Sequence, residues 1–289
     1  MIKYNYEENI THGISSFPVA VYDVKFLEGN QQILPCHWHD EYEFIYISEG
    51  SATFKIDECS YDVHKSQALL INSGELHSAY TNNVSGCSYL AIVFKSSFIE
   101  SSQPDVCQTK YIAPLVLKEY ALKPHITGNN TADFHILYLI QQIIQKIAQQ
   151  SVSFELYTKA YLLTILSIIF ENNLLVTCPK ESNSKSKQFR IKKVLTYIDE
   201  NLSTKLTLDS LAAIINMSRF HFCRFFKKYT SMSPIEYINT MRIDEAEKLL
   251  KHRDYSVTEA ALEVGFENLS YFTKQFKKYK NSLPSEVLK

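Results

Sequence analysis

The chain of 289 residues is 45% apolar and 21% charged with a formal net charge of −1, which excludes a disordered or polyionic chain and allows two or three domains with cores. The near-zero total conceals a division: residues 1–187 hold 13 Lys/Arg against 19 Asp/Glu, and residues 188–289 hold 17 against 12. All five arginines, Arg190, Arg219, Arg224, Arg242 and Arg253, fall in the second part, where a planar guanidinium suits a phosphate or a guanine edge.

The opening Met1-Ile2-Lys3-Tyr4-Asn5 lacks the apolar core of a secretory signal. Six cysteines, Cys36, Cys59, Cys87, Cys107, Cys178 and Cys223, show no paired spacing, so a reducing cytoplasm is the expected setting. The longest apolar-like run, Ala160 to Phe170, falls far short of the roughly 20 residues of a membrane span, and no membrane partner is expected.

From Phe17 to Lys95, short β-rich runs alternate with turn residues: Val19 to Phe26, Glu43 to Ile47, Ala52 to Ile56, Ala68 to Ile71 and Tyr89 to Phe94. This spacing predicts a sandwich or barrel. Within it lie His37-Trp38-His39-Asp40-Glu41-Tyr42-Glu43, then Gly50, and later Asn72-Ser73-Gly74-Glu75-Leu76-His77. Strand alternation would place residues 37, 39 and 43 on a single face. The arrangement resembles the cupin signature His-x-His-x3-Glu-x6-Gly, with Gly74-x2-His77 as its second half and Asn72 in place of the usual proline. In metal cupins the equivalents of His37, His39, Glu43 and His77 bind a transition metal, for which imidazole and carboxylate are suited. The readings that follow are a metal enzyme, a domain that holds metal as a structural or sensing element, or a sensor that uses the same polar mouth for a small effector. Cys36 beside His37 reads as a small buried hydrophobe rather than a redox switch.

Residues 132–150, with Ile136, Ile140, Ile143, Ile144 and Ile147, and residues 154–172, with Leu156, Ala160, Leu163, Leu166, Ile169 and Phe170, predict two unusually apolar amphipathic helices. They must pack on the barrel or on a second chain, and a homodimer is expected. The polar stretch Cys178 to Lys187 reads as a flexible linker.

The C-terminal part repeats itself at an offset of 50 positions, through Phe222/Phe272, Phe226/Phe276, Lys227/Lys277, Lys228/Lys278, Tyr229/Tyr279, Pro234/Pro284 and Glu236/Glu286. In each copy a short apolar helix, Leu208 to Ile215 or Val257 to Val264, precedes a tight turn and a second helix, the order of a helix-turn-helix. Capping boxes at Ser256-Val257-Thr258-Glu259 and Ser233-Pro234-Ile235-Glu236, and N-caps at Ser218 and Asn268, mark helix starts. Phe222, Phe225, Phe226, Phe272 and Phe276 form a buried stripe. The opposite face, Arg219, Phe220, Cys223 and Arg224 in one copy and Leu269, Ser270, Thr273 and Lys274 in the other, is available to a major groove. Pro234 to Arg253 reads as one helix of about 30 Å, close to the roughly 34 Å of a DNA turn.

The ordered pattern Ser218-x3-Phe222-x-Arg224-Phe225-Phe226-Lys227-Lys228, Ser233-Pro234-x2-Tyr237-Ile238, Arg242-x3-Ala246-x2-Leu249-Leu250, Gly265-Phe266 and Ser270-Tyr271-Phe272-x3-Phe276-Lys277-Lys278 resembles AraC/XylS-type regulators over about residues 188–289. The resemblance implies tandem units reading successive major grooves of double-stranded DNA, with phosphate contacts from Lys227, Lys228, Lys277 and Lys278. It also favours the sensor reading. His37, His39, Glu43 and His77 then bind an effector, with a neutral polar molecule such as a sugar the best fit, and no catalytic residue, metal or cofactor is assigned. RNA polymerase is a further implied partner, and the family is mostly activating. Where it has glycine after each recognition helix, this chain has Ser231 and Asn281. The expected architecture is α+β: a cupin-like sensor over 1–110, a helical dimerisation segment over 111–177, a linker over 178–187 and a DNA-binding domain over 188–289.

Overall fold

The computed structural model describes residues 11–26, 31–81, 86–177, 183–251 and 255–287. It divides into two compact units, residues 7–185 and residues 186–289, each with its own core.

The first unit is an antiparallel sheet folded on itself. Its strands are β1 (Val19–Phe26), β2 (Gln31–His37), β3 (Tyr42–Ile56), β4 (Cys59–His64), β5 (Ala68–Ile71), β6 (His77–Thr81) and β7 (Cys87–Phe94). β3 is the hub: its first half pairs with β5 and β7, its second half with β4 and β6, and β6 carries on to β2. Two separate strands were expected here. Ser48 to Ser51, rich in turn residues, instead makes a register shift after Ile47 with Gly50 in the left-handed region (φ 73°), so the strand bends without ending. β2, β4 and β6 escape the sequence pattern because Gln32, Ser60, Asp62, His64 and Ser78 dilute their apolar residues.

Side chains alternate between two buried layers, which accounts for the continuous apolar run of β5. Ile45, Ile47, Phe54, Leu69, Ile71 and Tyr89 fill the interior. Phe44, Ala68, Leu70, Ile92 and Phe94 point outward and are covered by α2 (Thr131–Gln149) and α3 (Phe154–Glu171), which follow the short α1 (Ala113–Val116), β8 (Tyr120–Leu122) and β9 (His125–Ile126). β10 (Leu175–Thr177) pairs back onto β8. The two apolar helices therefore share one core with the strands.

α4 (Asn183–Glu200) begins inside the stretch expected to be a linker, since Asn183 to Lys187 contains neither Gly nor Pro to stop a helix; residues 178–182 of that stretch lie outside the described residues. There follow α5 (Leu208–Ile214), α6 (Arg219–Thr230), α7 (Pro234–Lys251), α8 (Val257–Glu263), α9 (Leu269–Lys280) and α10 (Pro284–Val287). The predicted caps are in place: Ser218 accepts from His221 N, Asn268 from Tyr271 N, and Ser256 with Glu259 forms the capping box. The repeat is offset by 50 residues for the second helices but by 49 for the first, so the second turn is one residue longer, at Glu267.

Candidate functional site

In the C-terminal domain each helix-turn-helix is closed by a left-handed turn residue, Asn216 (φ 52°) in one and Gly265 (φ 89°) in the other. At Gly265 a side chain is also excluded by space, because a Cβ would lie 2.8 Å from Arg242 Nη2 and 2.8 Å from Ser203 O. Phe222, Phe226, Phe272 and Phe276 are fully buried, so α6 and α9 present their opposite faces outward. On those faces Arg219, Phe220, Arg224, Lys227 and Lys228 are exposed on α6, and Leu269, Ser270, Lys274, Lys277 and Lys278 on α9. Cys223 and Thr273, expected on the same surface, are half-buried, the latter because its hydroxyl turns back to Leu269 O at 2.9 Å. Arg224 lies over the Phe220 ring at 5.8 Å, and Arg219 Nη1 is 4.0 Å from Asp209. His221 and Tyr271 are exposed beside these residues and were missed, since an aromatic ring on a helix reads as core from periodicity alone.

Arg242 is a correction to the reading of all five arginines as DNA-directed. Its guanidinium, on α7, donates from Nε to Leu202 O (2.9 Å), from Nη1 to Gly265 O (2.8 Å) and from Nη2 to Thr204 O (2.7 Å). Those carbonyls belong to the loop after α4 and the turn of the second helix-turn-helix. A fork of donors that would suit a phosphate is committed to the backbone. Arg253 lies outside the described residues.

In the N-terminal unit His37, His39, Glu43 and His77 do come together, with one ligating atom from each within 4.8 Å of all the others. The route is not strand alternation. His37 ends β2, His39 sits in the corner that follows, Glu43 points inward from β3 with Ile45 and Ile47, and His77 starts β6 opposite His37. The corner is pinned by Gly74, left-handed at φ 78°, whose N–H donates to His39 O at 2.8 Å. Asn72, at the place of the signature's proline, exchanges two hydrogen bonds with the Leu122 backbone (2.7 and 3.1 Å), a task proline cannot perform.

His39, Glu43 and His77 are buried and His37 is half-buried. Glu43 Oε2 lies 3.1 Å from His39 Nε2 and 3.1 Å from His77 Nε2. Burial alone would raise the Glu43 carboxyl, but the two imidazoles reverse this and hold it well below the usual range. Burial, then the neighbouring His37, pulls His77 down to about 4. His12, buried at the edge of His39 with ring centroids 5.7 Å apart, joins the cluster from a segment with no motif to announce it. Cys36 is buried and its thiol is pushed up to about 12 by desolvation, which disfavours the reactive thiolate.

Comparison with known proteins matches residues 24–166 to the AraC-like ligand binding domain and residues 211–289 to a helix-turn-helix domain. The chain is 30% identical over 287 residues to the HTH-type transcriptional regulator YdeC of Bacillus subtilis (strain 168), covering 98% of this chain and 96% of that protein. It is 22% identical over 283 residues to the HTH-type transcriptional activator RhaS of Escherichia fergusonii, covering 96% of this chain and 95% of that one. Among solved structures, unsaturated fatty acid bound ToxT from Vibrio cholerae is similar at 19% identity and a TM-score of 0.43, over 93% of this chain and 94% of that one. With both of its domains matched in order and a relative aligned end to end, the chain belongs to the AraC/XylS family of DNA-binding transcription regulators, with an N-terminal ligand-binding domain.

Proposed function

We propose that the cluster of His37, His39, Glu43 and His77 is the effector site of this regulator, and that its occupancy changes how the tandem helix-turn-helix domain engages duplex DNA. The observation that supports it is the convergence of four polar side chains from β2, β3, β6 and the intervening corner at the edge of an otherwise apolar interior. In the DNA-binding domain, Arg219, Phe220, Cys223, Arg224, Leu269, Ser270, Thr273 and Lys274 are read as the base-facing set. Lys227, Lys228, Lys277 and Lys278 supply phosphate contacts. The role is regulatory rather than catalytic, in the cytoplasm, with RNA polymerase as the partner of an activating form.

A dimer through α3 belongs to the same reading. Its buried face, Leu162, Ile165, Leu166 and Ile169, lies in the core shared with α2 and the strands, while Leu156, Ala160, Leu163 and Ser167 form an exposed stripe of apolar and small residues at helical spacing. Leu163→Asp is expected to shift sedimentation from dimer to monomer, and a wild-type chain that sediments as a monomer at micromolar concentration removes this element.

The test of the effector site is footprinting on promoter DNA with a panel of sugars and divalent ions, repeated with His39→Ala. Ligand-dependent protection that is lost in the variant is expected. Protection that responds to ligand identically in wild type and variant places the effector elsewhere.

A further inference from the structure

We propose that the second helix-turn-helix reads thymine by its 5-methyl group, through Leu269 and the γ-methyl of Thr273, whereas the first reads guanine through Arg224. The operator is then a pair of chemically unlike boxes, although the two protein units repeat one another. The inference rests on the reading of α6 and α9 as the base-facing helices and names the bases they take.

At the offset of 50 positions the buried residues of the two helices agree, Phe222 and Phe226 answering to Phe272 and Phe276. Their outward residues do not. Arg219 answers to Leu269, Phe220 to Ser270, Cys223 to Thr273 and Arg224 to Lys274. The first residues of a recognition helix are the ones that reach base edges, so the difference falls where sequence is read. On α6 the Arg224 guanidinium is exposed and lies over the Phe220 ring at 5.8 Å, a contact that narrows the conformations of its planar fork. Two parallel N–H donors match O6 and N7 of guanine.

No such fork stands on α9, which contains no arginine. The side chain of its cap, Asn268, accepts from Tyr271 N, and the Tyr271 hydroxyl accepts from Asn239 Nδ2 at 2.8 Å, which ties that ring to α7. The Thr273 hydroxyl donates to Leu269 O at 2.9 Å, so its proton is used within the helix and a methyl group is what it has left to offer. Leu269 is the first residue of α9 and 41% exposed, whereas Phe272 and Phe276 are fully buried. Four residues apart, Leu269 and Thr273 are neighbours along one edge of the helix. Alkyl surface there neither donates nor accepts.

Thymine alone among the four bases carries an alkyl group in the major groove, and the polar edges of the others lose hydrogen bonds to water when such a surface covers them. Ser270 donates or accepts according to what it meets, and the single flexible ammonium of Lys274 suits a phosphate as well as a base edge, so neither selects one base by itself. Covering one methyl is equivalent to about fourfold in affinity and covering two to about fifteenfold. A lost bidentate guanine pair costs about 5- to 150-fold. The thymine box is therefore the more tolerant of the two.

The experiment uses the full chain to select its operator from random-sequence duplexes. Footprints of Lys227→Ala and Lys277→Ala, each expected to thin protection over the box under its own helix, assign the boxes. Anisotropy then compares the selected duplex with versions in which each thymine of the α9 box is replaced by deoxyuridine, which lacks only the methyl group. At one or two positions deoxyuridine should weaken binding about fourfold, and in Leu269→Ala or Thr273→Ala that penalty should disappear at the position the side chain covers. Guanine selected opposite the start of α9, deoxyuridine bound as tightly as thymine throughout the box, or a penalty undiminished in both variants overturns the thymine assignment and leaves α9 standing as a reader. Protection of a single box, unaltered by Lys277→Ala, overturns the reading of α9 itself and the proposal with it.

Discussion

Replacing Arg242 by alanine should unfasten the DNA-binding domain without touching a DNA contact. The side chain donates three hydrogen bonds of 2.7–2.9 Å to the carbonyls of Leu202, Thr204 and Gly265, and its guanidinium lies 5.7 Å from the Phe266 ring centroid. A bond from a charged donor contributes about 1.5–3 kcal/mol where the partner is desolvated. The bonds to Leu202 and Gly265 are part-buried, whereas the one to Thr204 is exposed and water replaces it at little loss. Two such bonds set the loss at about 3–6 kcal/mol, a large share of the roughly 5–15 kcal/mol of a typical domain. The chain has a single tryptophan, Trp38, buried in the N-terminal unit, so urea unfolding can be followed in two channels. The far-UV transition of the helical domain should move to lower urea while the Trp38 fluorescence transition stays in place. Arg242→Lys should recover less than half of the loss, because one ammonium cannot span three carbonyls. A change below about 0.5 kcal/mol, the level of an ordinary surface substitution, or equal shifts in both channels, refutes the reasoning.

Arg224→Ala should cost about 1–3 kcal/mol of specific DNA binding and relax sequence preference, while Lys228→Ala should weaken all sequences alike and lower the salt slope by about one; anisotropy titrations across salt concentrations check both, and an unchanged specificity ratio removes Arg224 from the readout. Ser231 holds the left-handed position after α6 (φ 63°), so Ser231→Gly should stabilise the helical domain by roughly 0.5–1 kcal/mol in the same urea assay. Lys280 bridges Asp244 (2.7 Å) and Glu247 (2.5 Å), joining α9 to α7. Burial opposes the charge on both partners, yet the bridge holds Glu247 below and Lys280 above their ordinary values. The Glu247 contribution is present above the unfolded carboxyl pKa and fades as pH falls through the folded one; the Lys280 contribution is present below the unfolded amine pKa and fades as pH rises through the folded one. Helical-domain stability should therefore sag at both ends of the pH range in the wild type, and Lys280→Met should flatten both slopes.

The tandem helix-turn-helix was legible from residues 188–289 because everything that marks it is local. N-caps at Ser218 and Asn268 act on backbone amides three residues away, and the Phe222/Phe226 and Phe272/Phe276 stripes follow helical spacing. The same holds for the membership of the barrel cluster, whose His37, His39, Glu43 and His77 stand in a recognisable spacing. Long-range features were not legible. That β3 runs unbroken through Gly50, that α3 is apolar on its outer as well as its inner face, and that Arg242 serves carbonyls 23 to 40 positions away are decided by what packs against each residue. The proton placement in the cluster belongs with these. Sequence supplies three imidazoles and a carboxylate, but only the folded backbone sets Pro35, Glu41 and Glu75 carbonyls against the three Nδ1 atoms and so fixes which ring edge each histidine turns toward Glu43.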